Sequence, residues 1–144
     1  MSADRASTLK HKELTDTILN AFYKVYNTLG YGFLEKVYEN ALAIELRKRG
    51  LKVVQQIPIN VYYEGVVVGE YVANMLVDGK VIIEGKTADA VAGEHEAQLL
   101  NYLRATEIEV GLLLNFGPKP EFRRKVYETA RKIALQRRNP IDPR

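Results

Sequence analysis

The chain has no cysteine, and only two of its 144 residues are histidine. Without thiols it can form neither a disulfide nor a thiolate metal site, and two imidazoles leave few ways to build a zinc centre. Any metal would be held by carboxylates and backbone oxygens, the donors that suit Mg²⁺ or Mn²⁺. Long apolar runs are also missing, since no window approaches 18 uninterrupted apolar residues. The first residues lack the basic segment, apolar stretch and small-residue cleavage site of a secretory signal. These absences argue against a membrane span and lead to the expectation of a soluble, cytoplasmic protein.

What the sequence does hold is enough apolar material for a core, at 47% hydrophobic residues in the length of one ordinary domain. The net charge of +3 is unevenly placed: residues 121–144 carry eight Lys/Arg against Glu121, Glu128 and Asp142, so residues 1–120 are slightly acidic. A basic end can attract a phosphate backbone without reading sequence, and it can equally be a solvated tail.

Spacing divides the chain into elements. Residues 1–10 read as a flexible N-terminal segment, 11–135 as a single domain and 136–144, with Pro140 and Pro143, as a basic flexible tail. Leu14, Ile18, Phe22, Val25, Tyr26 and Leu29 predict a helix ending near Gly30. A second helix is expected from about Phe33 to Arg49, with Leu34, Val37, Tyr38, Ala41, Leu42 and Leu46 as its apolar face and Gly50 as its stop. Val53–Val54, Ile57–Tyr63 and Val66–Leu76 are rich in β-branched and aromatic residues, with Glu64-Gly65 and Asp78-Gly79 as hairpin turns. Val81–Lys86 is a short strand, Gly93–Ala105 a helix, and Val110–Asn115 an apolar strand covered on both faces. Arg123–Tyr127 reads as a last strand, with a helix over Tyr127–Leu135 as the alternative. Hairpins plus one strand–helix–strand unit make an α/β domain, a mixed sheet flanked by helices.

The chemistry concentrates on Glu84-Gly85-Lys86. Glu84 and Lys86 point the same way because strand side chains alternate. Glu84 could bind Mg²⁺, Lys86 could orient water or stabilise charge on phosphorus, and Gly85 adds a carbonyl. Asn74 lies ten residues earlier on the other arm of the hairpin. A two-residue loop at Asp78-Gly79 would put Asn74 and Glu84 on opposite faces, whereas a three-residue loop, Val77-Asp78-Gly79, would put them on one; turn chemistry permits both. On the neighbouring helix His95, Gln98 and Tyr102 share a polar-capable face, from which Gln98 could position phosphate, water or Lys86 and Tyr102 could contact a phosphate. Their structural alternatives are capping and ring burial, and Glu94 and Glu96 read as solvated. Glu35, in the first turn of the second helix, suits the helix dipole or a metal, while Glu39 and Glu45 read as outer-face charges.

Gly32, Glu35 and Tyr38 form a GxxExxY pattern, and with Lys12-Glu13-Leu14-Thr15, Gln55-Gln56, Tyr63-Glu64-Gly65 and Gly111 to Gly117 the chain resembles the family named for that motif, a branch of the PD-(D/E)XK nuclease superfamily. The resemblance implies a restriction-endonuclease-like core. It further implies likeness to RecB-type DNA repair nucleases, whose Gln-x-x-x-Tyr element would be Gln98 and Tyr102. By that likeness Glu35 and Glu84 would ligate a divalent metal, with Asn74 and Gly85 beside them. Lys86 would support hydrolysis of a DNA phosphodiester; Tyr38 of the motif and, from its place on the neighbouring helix, His95 are read as supporting residues. The acid expected first on the strands falls on Asn74, Asp78 matches the later turn residue, and Gly85 stands where a bulky aliphatic residue is usual. An amide offers a cation one neutral oxygen and no charge. Two functions follow as expectations: a metal-dependent DNA nuclease, intact or impaired at Asn74, and a non-catalytic module. The module would dock nucleic acid on Arg123, Arg124, Arg131, Arg137 and Arg138, or bind a protein or a second copy of itself along an exposed strand edge.

Overall fold

The computed structural model describes residues 10–128, and the chain runs α1 (Lys12–Leu29), α2 (Glu35–Lys48), β1 (Val53–Tyr63), β2 (Val66–Val77), β3 (Val81–Lys86), α3 (Gly93–Ala105), β4 (Val110–Phe116) and β5 (Pro120–Val126). The expected N-terminal segment up to residue 9, the alternative helix beyond residue 128, Arg131, Arg137, Arg138 and the tail at 136–144 lie outside the described residues.

The strands form one sheet in the order β1-β2-β3-β4-β5. All neighbours are antiparallel except β3 and β4, which run parallel. A parallel pair needs a crossover, and α3 supplies it. The sheet is therefore mixed and α/β, as its sequence pattern predicts.

Helices cover both faces. Ile18, Ala21, Phe22 and Val25 of α1 and Tyr38, Leu42, Ala43 and Leu46 of α2 pack on one side against Met75, Val77, Val81, Ile83, Val110, Leu112 and Leu114. Leu99, Tyr102 and Leu103 of α3 pack on the other against Ile59, Ala73, Ile82 and Leu113. The odd and even residues of β3 thus serve different cores, and every residue of β4 is buried. No described helix is long and apolar enough to cross a membrane.

The buried face of α2 differs from the expected one. Leu34 and Val37 are 81% and 39% exposed. Leu34 precedes the helix in extended conformation, so it is off the helical period. Tyr38, beside Val37, takes the inward direction because its ring stacks on Phe116 at 4.7 Å. Its hydroxyl donates to the Gly30 carbonyl at 2.5 Å and accepts from the Phe33 N–H at 3.2 Å, pinning the turn that joins α1 to α2.

At the far end of β4, buried Asn115 accepts from the Ala88 N–H and donates to the Ala88 carbonyl, both at 2.9 Å, and so ties the β3–α3 loop to the sheet. This brings the loop onto Gly117, where an added Cβ would stand 1.9 Å from the Ala88 carbonyl oxygen. Gly117→Ala should therefore lower unfolding free energy by at least about 2 kcal/mol in urea titrations. Gly93→Ala, at a helix start with nothing within 4 Å of its Cβ, should be neutral or slightly stabilising. Equal effects at the two positions would refute the close approach.

Candidate functional site

The β2–β3 hairpin sets the register of the site. Its loop has three residues, Asp78-Gly79-Lys80, between the paired Val77 and Val81. Both loops anticipated from sequence are thereby corrected. Asp78 has φ 52° and exchanges two 2.8 Å bonds with the Lys52 backbone, one through its N–H and one through Oδ1, which leaves Val77 in the strand. Asp78 is thus committed to the turn. Counting on from Val77–Val81 sets Asn74 opposite Glu84, but the ladder stops at Met75–Ile83. Beyond it, side chains replace the backbone bonds: the Asn74 N–H donates to Glu84 Oε1 and the Gly85 N–H donates to Asn74 Oδ1, each at 2.7 Å.

The reason for the break lies in β1 and β2. Ala73 joins the α3 core and Met75 the α1/α2 core although they are two residues apart, so face alternation slips at Asn74. Opposite it, neighbouring Gln55 and Gln56 both reach the same carboxylate, and Gln56 sits at φ 57°, a left-handed conformation that costs a non-glycine residue of order 1 kcal/mol. The shared target is Glu39.

Glu39 is 7% exposed, not the outer-face charge its sequence position suggests. Gln56 Nε2 at 2.9 Å and Asn74 Nδ2 at 3.2 Å donate to Oε1, while Gln55 Nε2 at 2.7 Å and Lys36 Nζ at 3.1 Å donate to Oε2. A buried carboxylate without such donors would be strongly unfavourable. Sequence reasoning missed this cluster. Its signal was there in two adjacent glutamines on a strand that otherwise alternates, and in an acid one turn beyond Glu35. Glu45 is likewise engaged, with Lys24 and Arg49, and Glu96 pairs with Lys125.

Glu84 is 4% exposed, and burial pushes its carboxyl up to about 7. The Asn74 N–H and the charge of Lys86 oppose that rise, while the charges of Glu35 and Glu39 add to it. The charges of Lys86, Glu35 and Glu39 thus all act on Glu84. Glu35, exposed at the start of α2, lines with Glu39, Asn74, Gly85 and Phe116 a cavity of about 10 Å³, the space of one water-sized probe. A Cβ on Gly85 would meet Asn74 Oδ1 and Phe116 at an ordinary 3.7 Å, so the missing side chain relieves no clash.

The remaining residues divide. Tyr102 is buried against Tyr71 at 5.9 Å because α3 packs through it; burial, then the charge of Glu84, raises its hydroxyl to about 12. It is a buried neighbour of Glu84, not a surface contact. Gln98, one turn earlier, is half-buried. His95 accepts the Ala92 N–H on Nδ1 at 3.2 Å and so caps α3. On β5, the Arg123 guanidinium reaches Glu121 at 3.6 Å and the Phe122 carbonyl at 2.9 Å, and Arg124 donates to the Lys10 carbonyl. Both arginines are engaged within the chain.

The family model of the PD-(D/E)XK nuclease superfamily matches residues 12–126. The fold is also similar to the solved crystal structure of SSO0001, with a TM-score of 0.50 at 19% identity over 92% of this chain and 68% of that one. No curated protein matches significantly. Nucleases of the superfamily generally use divalent metals. The corner described above does not fit such an ion as arranged: Asn74 Oδ1 and Glu84 Oε1 each accept a backbone N–H, and the Asn74 Nδ2 protons face the Glu39 carboxylate. Among the described residues, no three acidic or imidazole groups converge to hold a metal.

Burial of Glu84 has a consequence for stability. Its folded-state value near 7 lies above the ordinary 4.5, so between these pH values the folded protein holds a proton that the unfolded chain releases. The contribution of Glu84 falls as pH rises through that window, by about 3 kcal/mol in all. Glu84→Gln keeps an oxygen for the Asn74 N–H and removes the titration. In EDTA its stability relative to the parent should climb from pH 4.5 to 7.5 in urea titrations; parallel curves would contradict the buried carboxyl.

Proposed function

From a chain that belongs to the PD-(D/E)XK nuclease superfamily, we propose a nucleic-acid-binding protein of the nuclease fold, with DNA as its partner, in which phosphodiester hydrolysis is weakened or lost. The finer placement we propose is the GxxExxY branch, on Gly32, Glu35 and Tyr38 within a single domain at 11–135. One observation carries the reading. Asn74, where an acid is expected, uses both ends of its amide on groups of the chain itself, Gly85 on one side and Glu39 on the other. The position thus offers no charge, and its oxygen is already bonded.

What the chain retains is the frame. Glu84 and Lys86 stay together on β3, the charge of Lys86 acts on Glu84, and Glu35 opens onto the cavity that Asn74 and Gly85 line; in this reading Lys86 is the cation offered to a phosphate. Binding on such a surface is electrostatic and needs no metal. A second reading, a protein-binding module, has in its favour the edge position of β1, which pairs with β2 alone among the described strands, together with exposed Val66, Val68 and Val72 on β2.

The deciding experiment titrates mixed single- and double-stranded DNA against the protein at increasing salt, then assays cleavage in Mg²⁺ and Mn²⁺. Binding should weaken steadily with salt and persist in EDTA. Cleavage by the parent should be absent, or should rise at least about tenfold in Asn74→Asp, an improvement of roughly 1.4 kcal/mol in barrier. That gain should vanish when Glu84→Ala or Lys86→Ala is added. A parent that cleaves as fast as Asn74→Asp would overturn the impaired-site reading, and no DNA binding at any salt would favour the protein-binding one.

A further inference from the structure

We propose that Asn74 substitutes in this chain for a cation, its amide serving as the bridge that holds Glu39 of α2 and Gly85 of β3 to β2. The site is thereby closed and its stability independent of metal. The amide orientation follows from its partners. The Gly85 N–H can only donate, so at 2.7 Å it faces Oδ1; the Glu39 carboxylate can only accept, so at 3.2 Å it faces Nδ2. Asparagine meets both demands at once. Aspartate in the same rotamer would keep the Gly85 contact but set a second carboxylate oxygen against Glu39, bringing two like charges close together where water is scarce.

The surroundings fit a bridge of this kind. Gln55 and Gln56 donate to Glu39 beside Asn74, so three amides and Lys36 together satisfy the carboxylate. Both strands depart from face alternation to bring these amides in, Gln56 at a left-handed φ of 57°. An aspartate at position 74 would set a carboxylate against Glu39 at the small cavity that Glu35 and Gly85 also line, with the Glu84 carboxyl bonded to the backbone N–H of the same residue. A hard divalent cation would relieve that repulsion. The residue at 74 therefore selects between two ways of joining α2 to the sheet: an amide bridge, or carboxylates that require a cation. Glu39, outside the GxxExxY pattern, is the anchor in both.

This inference rests on the reading of the corner given above. Its test contains no nucleic acid, so its outcome is separate from that of the cleavage and binding assays. Thermal unfolding of the full chain would be followed at pH 8 in EDTA and in millimolar MnCl₂. The parent midpoint should be the same in both. Asn74→Asp should unfold about 5 °C lower in EDTA and regain the loss in Mn²⁺. In the double variant Asn74→Asp/Glu39→Gln, the amide introduced on α2 can donate to the carboxylate introduced on β2, with the Gln56 amide turned over to present its oxygen to the new NH2. Its EDTA midpoint should therefore rise above that of Asn74→Asp, and the Mn²⁺ response should disappear. An unchanged midpoint of Asn74→Asp in EDTA would overturn the proposal, as would a parent that gains as much from Mn²⁺ as the variant does. Should Asn74→Asp fail to fold in EDTA, recovery of its circular dichroism on adding Mn²⁺ supports the bridge, and failure to recover refutes it.

Discussion

A carboxylate buried beneath a sheet must find donors close by, and Glu39 draws them from three elements. Lys36 comes from its own helix, Gln55 and Gln56 from β1, and Asn74 from β2. The backbone yields to this demand: β1 takes a left-handed residue at Gln56, β2 shifts its faces at Asn74, and the β2–β3 ladder ends at Met75–Ile83. The opening between β2 and β3 then has to be closed by side chains. Asn74 and Glu84 close it, each taking the N–H that the ladder leaves unpaired on the opposite strand. The local geometry of the site thus follows from satisfying one acid.

The same demand links the site to the fold on its other side. Tyr38, the residue before Glu39, stacks on Phe116 and pins the α1–α2 turn through Gly30 and Phe33. Phe116 in turn lines the cavity beside Asn74 and Gly85. The pattern Gly32, Glu35, Tyr38 therefore has a structural half, in which tyrosine anchors the turn, and an open half, in which Glu35 faces the cavity. Burial of Glu84 belongs to this arrangement as well, since the strand that carries it is buried on both faces up to that residue.

Superfamily membership fixes the frame and leaves the chemistry to individual side chains. One atom separates the two outcomes at position 74. A carboxylate oxygen there would be an acceptor and a charge; the amide nitrogen is a donor, and it is already bonded to Glu39. Glu84, Lys86 and the sheet that presents them are compatible with either, which is why the residue at 74 and its partner on α2 decide the character of the corner.

Much of this was legible in the chain. Three-residue and four-residue apolar spacing located the three described helices, β-branched and apolar runs located β1 to β4, and Gly30, Gly65 and Gly79 marked turns that do require positive φ, whereas the last strand, read as Arg123–Tyr127, begins at Pro120. These features are local: each follows from periodicity or from the steric freedom of one residue. The pairing of α2 with the β1–β2 hairpin was not legible. Gln55 and Asn74 lie 16 and 35 residues from Glu39, and nothing in their spacing requires that they meet. Nor did the sequence choose among hairpin loops, because Asp78-Gly79 suits several turns; the Lys52 contact, 26 residues away, selected the observed one. Sequence by itself determined the elements and their order, and it put an amide at position 74, where the resemblance leads one to expect an acid. Tertiary structure alone decided what that amide does, because a buried hydrogen bond depends on which distant group arrives to share it.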